Sequence, residues 1–261
     1  MDNILDLKDK KAVVTGGTSG IGKAIVDIFY RNNADVAFIG RDQARASAIM
    51  DNLLPEDRGS LSFYSCDVSK RKEVKSTCEK ILGEFGRVDI IVLNSGIEYS
   101  EPVGQTDLDH WDEVFAVNTD GAFYFIRFLL DSMLKNKKGS IILISSAVTI
   151  NGGGGGIAYS ASKAALKGIS SKLNYELLPQ GIRTNIISPG VIDTPMFRKK
   201  NPDNPEINKK LISQIPARRI GKPEDIASMA LFLASDHSSF ICGQDIVIDG
   251  GRTVYRNPHL S

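Results

Sequence analysis

Tyr159 and Lys163 stand four residues apart in the segment ISSAVTINGGGGGIAYSASKAAL, residues 144–166. If that stretch is helical, the two share one face. A phenol with an ordinary pKa of about 10 is a poor base at neutral pH, and a neighbouring ammonium favours the phenolate. Bringing it to neutrality takes ~4 kcal/mol of differential interaction, which a cation in a partly desolvated cleft supplies. Such a tyrosine gives a proton to a carbonyl or takes one from an alcohol. Ser146 ends an apolar run shortly before, and a returning loop would bring its hydroxyl, or that of Ser145, beside the phenol. Tyr/Lys pairs at this spacing also decorate ordinary solvated helices, so the pair needs a second feature beside it.

That feature lies near the start, in VVTGGTSGIGKAI, residues 13–25. Gly16, Gly20 and Gly22 follow an apolar run and open a helix-like pattern. Glycine lets backbone approach a ligand closely, and a helix N-terminus offers free N–H groups and partial positive charge to a pyrophosphate. The spacing Gly-x-x-x-Gly-x-Gly differs from the commonest dinucleotide fingerprint, and a tight structural turn is the lesser alternative. At the end of the second apolar run stand Gly40 and Arg41, where an NAD-binding chain often has an acid for the ribose hydroxyls. Glycine removes the carboxylate that would repel a 2′-phosphate, and arginine binds one. NADP(H) is therefore favoured over NAD(H), with Asp42 as the opposing feature.

The elements that would position these groups alternate along the chain. Strands are expected at 11–16, 35–40, 61–66, 88–94, 139–145, 183–188 and 245–249. Several are continuous apolar runs, which suits a parallel sheet covered on both faces. Helices are expected near 21–32, 42–54, 70–84, 108–136, 157–178 and 223–234; Pro223 and two acids open the last. No linker or repeat divides the chain, so one doubly wound α/β domain over 1–261 is expected. The Pro-, Asn- and Lys-rich stretch at 191–216 follows a strand end and is a candidate substrate lid.

Composition narrows the classes. Among 261 residues, 42% are apolar and 24% charged, and the net charge of +1 gives no reason to expect nucleic acid or an acidic membrane. The N-terminus has no apolar core of a signal peptide, and no apolar run approaches bilayer length. Cys66, Cys78 and Cys242 form no ligand spacing and read as small buried hydrophobes in a reducing, cytoplasmic setting. The three histidines are far apart, so no metal site is expected.

The ordered set TGGTSGIG (15–22), CDVS (66–69), LNSG (93–96), VNTDGAF (117–123), ISS…YSASK (144–163), ISPGVIDTPM (187–196) and DIVIDGG (245–251) resembles the short-chain dehydrogenase/reductases of about 250 residues. The resemblance covers nearly the whole chain and implies a Rossmann fold with a seven-stranded parallel sheet. By resemblance Tyr159 is the acid/base, and Lys163 tunes it and holds the nicotinamide ribose. Ser146 positions the substrate oxygen, and Asn118 completes a proton relay through a water. It also implies that Gly16, Thr18, Ser19, Gly20, Ile21 and Gly22 cradle the dinucleotide. Asp67 and Val68 would meet the adenine, Asn94 the adenosine ribose side, and Ile192 and Thr194 the carboxamide. Leu93 departs from the family's asparagine.

The reading that follows is interconversion of a secondary alcohol and a ketone. The run Gly152–Gly156 presents no side chains between the serine and the tyrosine, which points to a bulky alicyclic substrate such as a hydroxysteroid or bile acid. A flexible turn explains it as well. A 3-oxoacyl-thioester reductase and a sugar or polyol dehydrogenase are the alternatives; a non-catalytic NADP-binding redox sensor is the rival from another class. The lid cations Arg198, Lys199, Lys200, Lys209 and Lys210 attract an anionic substrate or form a solvated face. By resemblance the partners are a small-molecule substrate and further copies of the chain, as a homotetramer through the helices at 108–136 and 157–178.

Overall fold

Alternate residues of each central strand feed two separate cores, and this decides the architecture. Ala12 and Val14 pack into one apolar cluster while Val13 enters the other. Val36 and Phe38 oppose Ala37 and Ile39 in the same way, as do Ile90 and Val92 against Ile91 and Leu93. Successive side chains of a strand point to opposite faces, so strands without a polar face must be covered twice. The computed structural model describes residues 5–53, 58–201 and 205–254. Seven strands, β1 (Lys11–Thr15), β2 (Asp35–Gly40), β3 (Leu61–Ser65), β4 (Ile90–Leu93), β5 (Gly139–Ile144), β6 (Ile182–Pro189) and β7 (Asp245–Ile248), form one sheet ordered β3-β2-β1-β4-β5-β6-β7. Every pairing is parallel. This is the expected doubly wound Rossmann sheet.

Helices α1 (Gly20–Arg31), α2 (Gln43–Leu53) and α10 (Pro223–Ala234) supply one covering layer; α3 (Arg71–Phe85), α5 (Gly121–Asn136) and α7 (Ile157–Leu177) supply the other. The order reverses between β1 and β4, so the crevice beyond their carboxyl ends is where a ligand fits an open α/β sheet.

The helix expected over 108–136 is interrupted. It divides into α4 (Leu108–Phe115), a π-helical turn at Ala116–Asp120, and α5. The extra residue swings Asn118 inward, where its amide bridges both backbone groups of Ile97. Single π turns inside helices mark functional places often enough to be read as such. The irregular stretch at 191–216 also carries structure: α8 (Pro195–Lys200), capped by the Thr194 hydroxyl accepting from the Phe197 amide at 3.2 Å, and α9 (Pro205–Ser213). A short α6 (Val148–Asn151) precedes the glycine run. Of the lid, residues 202–204 lie outside the described residues, as do 255–261 of the tail and His259.

Cys66 and Cys78 are buried, and burial pushes the Cys78 thiol up to about 12. Cys242 is a correction: it is only partly covered, near the β7 edge. Among the described residues no group of His, Cys, Asp and Glu is arranged to hold a metal, and no helix is long and apolar enough to cross a membrane.

Candidate active site

The glycine turn is built by close contact. A Cβ on Gly22 would lie 2.1 Å from the Gly16 carbonyl oxygen and 2.5 Å from Asn94 Nδ2. Gly16 has φ +65° and Gly20 has φ +51°, a region that favours glycine. The Asn94 amide donates to the carbonyls of Thr15 and Gly16 at 3.1 and 3.2 Å, while Thr15 Oγ1 accepts from the amides of Asn94 and Ser95. The ends of β1 and β4 are thereby tied together without the asparagine that Leu93 replaces; Leu93 itself is buried. Helix α1 starts in the crevice with Ser19 as N-cap, no side-chain cap and no acid in its first turn. Its first amides are therefore available to an anion. A dinucleotide pyrophosphate fits this cradle.

Two clefts flank the turn and share Gly16, Ser19, Ser95 and Gly96. One, of about 630 Å³, is lined by Thr18, Arg41, Asp67 and Val68. A Cβ on Gly40 would meet Thr18 Cγ2 at 2.6 Å, so glycine there is a steric need as well as a missing acid. Asp42 is committed elsewhere: its carboxylate accepts from the Arg45 amide at 3.0 Å and pairs with the Arg45 guanidinium at 3.0 Å. Arg41 is exposed at the rim. Partial burial works against ionisation of Asp67, but the Ser69 hydroxyl and amide, with Arg41 and Lys70, outweigh it and hold its carboxyl below the usual range. Gln43 and Arg45 also line this cleft, although neither belongs to a motif in the sequence.

The other cleft, of about 500 Å³, brings Ser146, Tyr159, Lys163, Asn94, Ile192 and Thr194 to one place. Ile192 bridges to Gly221, and Thr194 faces Gly20, whose Cβ would lie 3.2 Å from Thr194 Cγ2. The structure thus puts Asn94 beneath the glycine turn and on this cleft, away from the Arg41 and Asp67 side. It also separates the two serines. Ser145 Oγ is buried and donates to the Lys163 carbonyl at 3.0 Å, whereas Ser146 lines the cleft together with Tyr159.

Lys163 Nζ donates to the Ile144 carbonyl at 2.8 Å and lies 5.9 Å from the centroid of the Tyr159 ring. Burial lowers its pKa to about 8. Burial raises the Tyr159 phenol, and the nearby Ser146 hydroxyl pulls part of that back. The expected depression of the phenol by its amine is therefore not what the chain's own groups produce. A neutral phenol is a proton donor. Asn118 reaches Ser162 Oγ at 3.0 Å as well as Ile97, and makes no direct hydrogen bond to Lys163. A Cβ on Gly96 would lie 3.3 Å from Lys163 Nζ and 3.4 Å from Asn118 Oδ1, so the two side chains flank one point.

The glycine wall is partly dictated by backbone. Gly152, Gly154 and Gly155 have φ of +66°, +94° and +73°, and a Cβ on Gly156 would strike the Tyr99 carbonyl oxygen at 2.2 Å. Facing the wall is an ion pair between Glu98, after β4, and Lys200, on α8. Glu98 carries no signal in the sequence, where Lys200 stands only among several lid cations.

A family model described as enoyl-(acyl carrier protein) reductase matches residues 16–253. The 3-oxoacyl-[acyl-carrier-protein] reductase FabG of Thermotoga maritima is 37% identical over 252 residues, covering 95% of this chain and 99% of that protein. FabG of Escherichia coli K12 is 33% identical, covering 95% and 98%. Among solved structures, a candidate NAD(P)-dependent gluconate 5-dehydrogenase of Beutenbergia cavernae, with NADP bound at low occupancy, superposes with a TM-score of 0.90 at 33% identity. It covers 97% of this chain and 100% of its own. With these matches along nearly its whole length, the chain belongs to the short-chain dehydrogenase/reductase family of oxidoreductases.

Proposed function

We propose that the protein is an NADP(H)-dependent enzyme that interconverts a secondary alcohol and a ketone, with Asn118, Ser146, Tyr159 and Lys163 as its working residues. The observation that carries this reading is the convergence of Ser146, Tyr159 and Lys163 on one cleft that shares its floor with the glycine turn. When bound, the nicotinamide cofactor would supply the hydride chemistry, to the carbonyl carbon in reduction and from the carbinol carbon in oxidation. Tyr159 gives its proton to the carbonyl oxygen in reduction and takes it back in oxidation. Ser146 holds that oxygen, and Lys163 brings positive charge to the phenol and would hold the ribose of the bound cofactor. Asn118 fixes the π turn against Ile97 and ties it to Ser162 on α7, the helix that carries Tyr159 and Lys163. The tyrosine and lysine are both present, which speaks against the non-catalytic sensor.

The bulky alicyclic substrate has no support among the relatives named above, whose printed activities concern 3-oxoacyl groups on acyl carrier protein and gluconate. A smaller 3-oxo or hydroxylated ketone replaces it. The whole chain 1–261 acts as one dinucleotide-binding domain, with 191–216 as the lid over the substrate.

NADP(H) preference rests on Arg41 at the rim, Gly40 against Thr18 and an Asp42 already paired with Arg45. In steady-state kinetics, NADPH is expected to exceed NADH in kcat/KM. Arg41→Ala should erode that ratio about tenfold or more, the scale of a charge-assisted hydrogen bond. A wild-type preference for NADH defeats the assignment.

We also propose a homotetramer. Leu108 on α4 and Phe123 on α5 are 77% and 50% exposed, and Ile157 at the start of α7 is exposed too. Apolar side chains left outside on these helices suit a subunit contact. Sedimentation at the mass of four chains is the expected result; a monomer at micromolar concentration refutes it.

A further inference from the structure

The wall that faces the phenol holds a charged pair that the chemistry above does not use. Glu98 lies in the irregular segment after β4, and Lys200 is in the last turn of α8. They meet as an ion pair at the outer edge of the Tyr159 cleft, with side chains 9% and 29% exposed. Ser100 completes the arrangement, donating to Glu98 Oε1 at 3.1 Å and accepting from Lys200 Nζ at 2.8 Å. The position of Glu98 relative to the chemistry is set by Gly155. A Cβ built there would lie 2.8 Å from Tyr159 Cδ1 and 3.0 Å from Glu98 Oε1, so the carboxylate and the tyrosine ring border the same point.

Keeping a carboxylate nearly buried is costly unless it is paired. Lys200 provides the pairing, and burial lowers the pKa of Lys200 in turn. Lys200 and Ser100 both address Oε1, whereas an ionised carboxylate has about four acceptor sites on two oxygens. Glu98 therefore keeps acceptor capacity. The other charges on this cleft are engaged: Asp249 accepts from the amides of Gly251 and Thr253, Arg252 donates to Gln214, and Lys163 belongs to the acid/base group. An apolar acyl chain laid along this wall would desolvate the carboxylate without replacing its hydrogen bonds. A hydroxyl would supply one.

We propose that Glu98 is a specificity residue that accepts a hydrogen bond from a substrate hydroxyl on a carbon next to the reacting carbonyl. Lys200 is the positioning residue that holds the Glu98 carboxylate in place and ties α8 to this wall. The substrate class is then a small polyhydroxylated ketone and its alcohol. This rests on the ketone-reductase reading of the Tyr159 site and narrows it.

The test compares kcat/KM with NADPH for erythrulose and for 2-butanone, which share a carbon skeleton and differ in hydroxyls, and for an acetoacetyl thioester. Wild-type enzyme should favour erythrulose over both others by at least about tenfold. Glu98→Ala and the near-isosteric Glu98→Gln should lower the erythrulose-to-butanone ratio about ten- to a hundredfold, mainly through KM, the scale of a lost hydrogen bond to a charged group. Lys200→Met should lower the same ratio, and Lys200→Arg should restore most of it. NADPH binding followed by fluorescence verifies that each variant is folded. Parallel loss on both ketones, a ratio that does not move, or a preferred thioester insensitive to Glu98 overturns this proposal and leaves the reductase reading standing. No turnover of any ketone by a wild-type enzyme that binds NADPH overturns both.

Discussion

Tyr159→Phe is expected to lower kcat for ketone reduction by about 10²–10⁴ while leaving NADPH affinity within about threefold, because general acid catalysis by a positioned side chain contributes on that scale. The reason is local. The ring stays, so the packing of α7 on the cleft wall stays, and only the phenol oxygen on the cleft shared with Ser146 is removed. Burial makes the phenol a weak acid, and it therefore carries its proton throughout the physiological range. Reduction needs that form, so the missing proton donor is felt at every pH. Oxidation of the alcohol needs the deprotonated oxygen, and its rate in wild-type enzyme should rise as pH rises. Single-turnover measurements with NADPH and an excess of ketone separate the chemical step from product release. A Phe variant within fivefold of wild type in that step would remove Tyr159 from the mechanism.

Much of this site is readable in one dimension because its parts are local. The spacing of Tyr159 and Lys163 places both on one helix face wherever the helix goes. Gly16, Gly20 and Gly22 follow β1 and open α1, and their contacts are set by that strand-to-helix junction. The seven strands show as apolar runs because both faces are covered. What escapes the sequence is set by residues far apart along the chain. Lys200 meets Ser100 from 100 residues away. The fate of Asp42 depends on where Arg45 turns at the start of α2. The π turn leaves the apolar pattern of 108–136 intact, since one added residue shifts the helical phase without changing composition. The sign of the Tyr159 shift is of the same kind: the spacing puts an amine near, but burial, offset in part by Ser146, sets the direction.

Lys163 carries the second large effect, and its pH dependence separates charge from shape. Its ammonium is buried, donates to the Ile144 carbonyl, and is held down to a pKa of about 8 by that burial. A lysine keeps its charge below its pKa, so the cation beside the phenol is present at pH 7 and lost as pH rises through about 8. The kcat/KM for NADPH reports groups of the free enzyme; it should be level below that pH and fall above it. Lys163→Met keeps the length of the side chain and removes the charge. Turnover should drop at least about a hundredfold, within the range for an acid/base group stripped of its partner. The falling alkaline limb should disappear from what remains. Thermal stability should change less than the activity. The Ile144 carbonyl loses its donor, which costs roughly 1–3 kcal/mol, but a desolvated cation is removed along with it. If the limb near pH 8 survives in the methionine variant, it belongs to another group, and Lys163 acts by filling space.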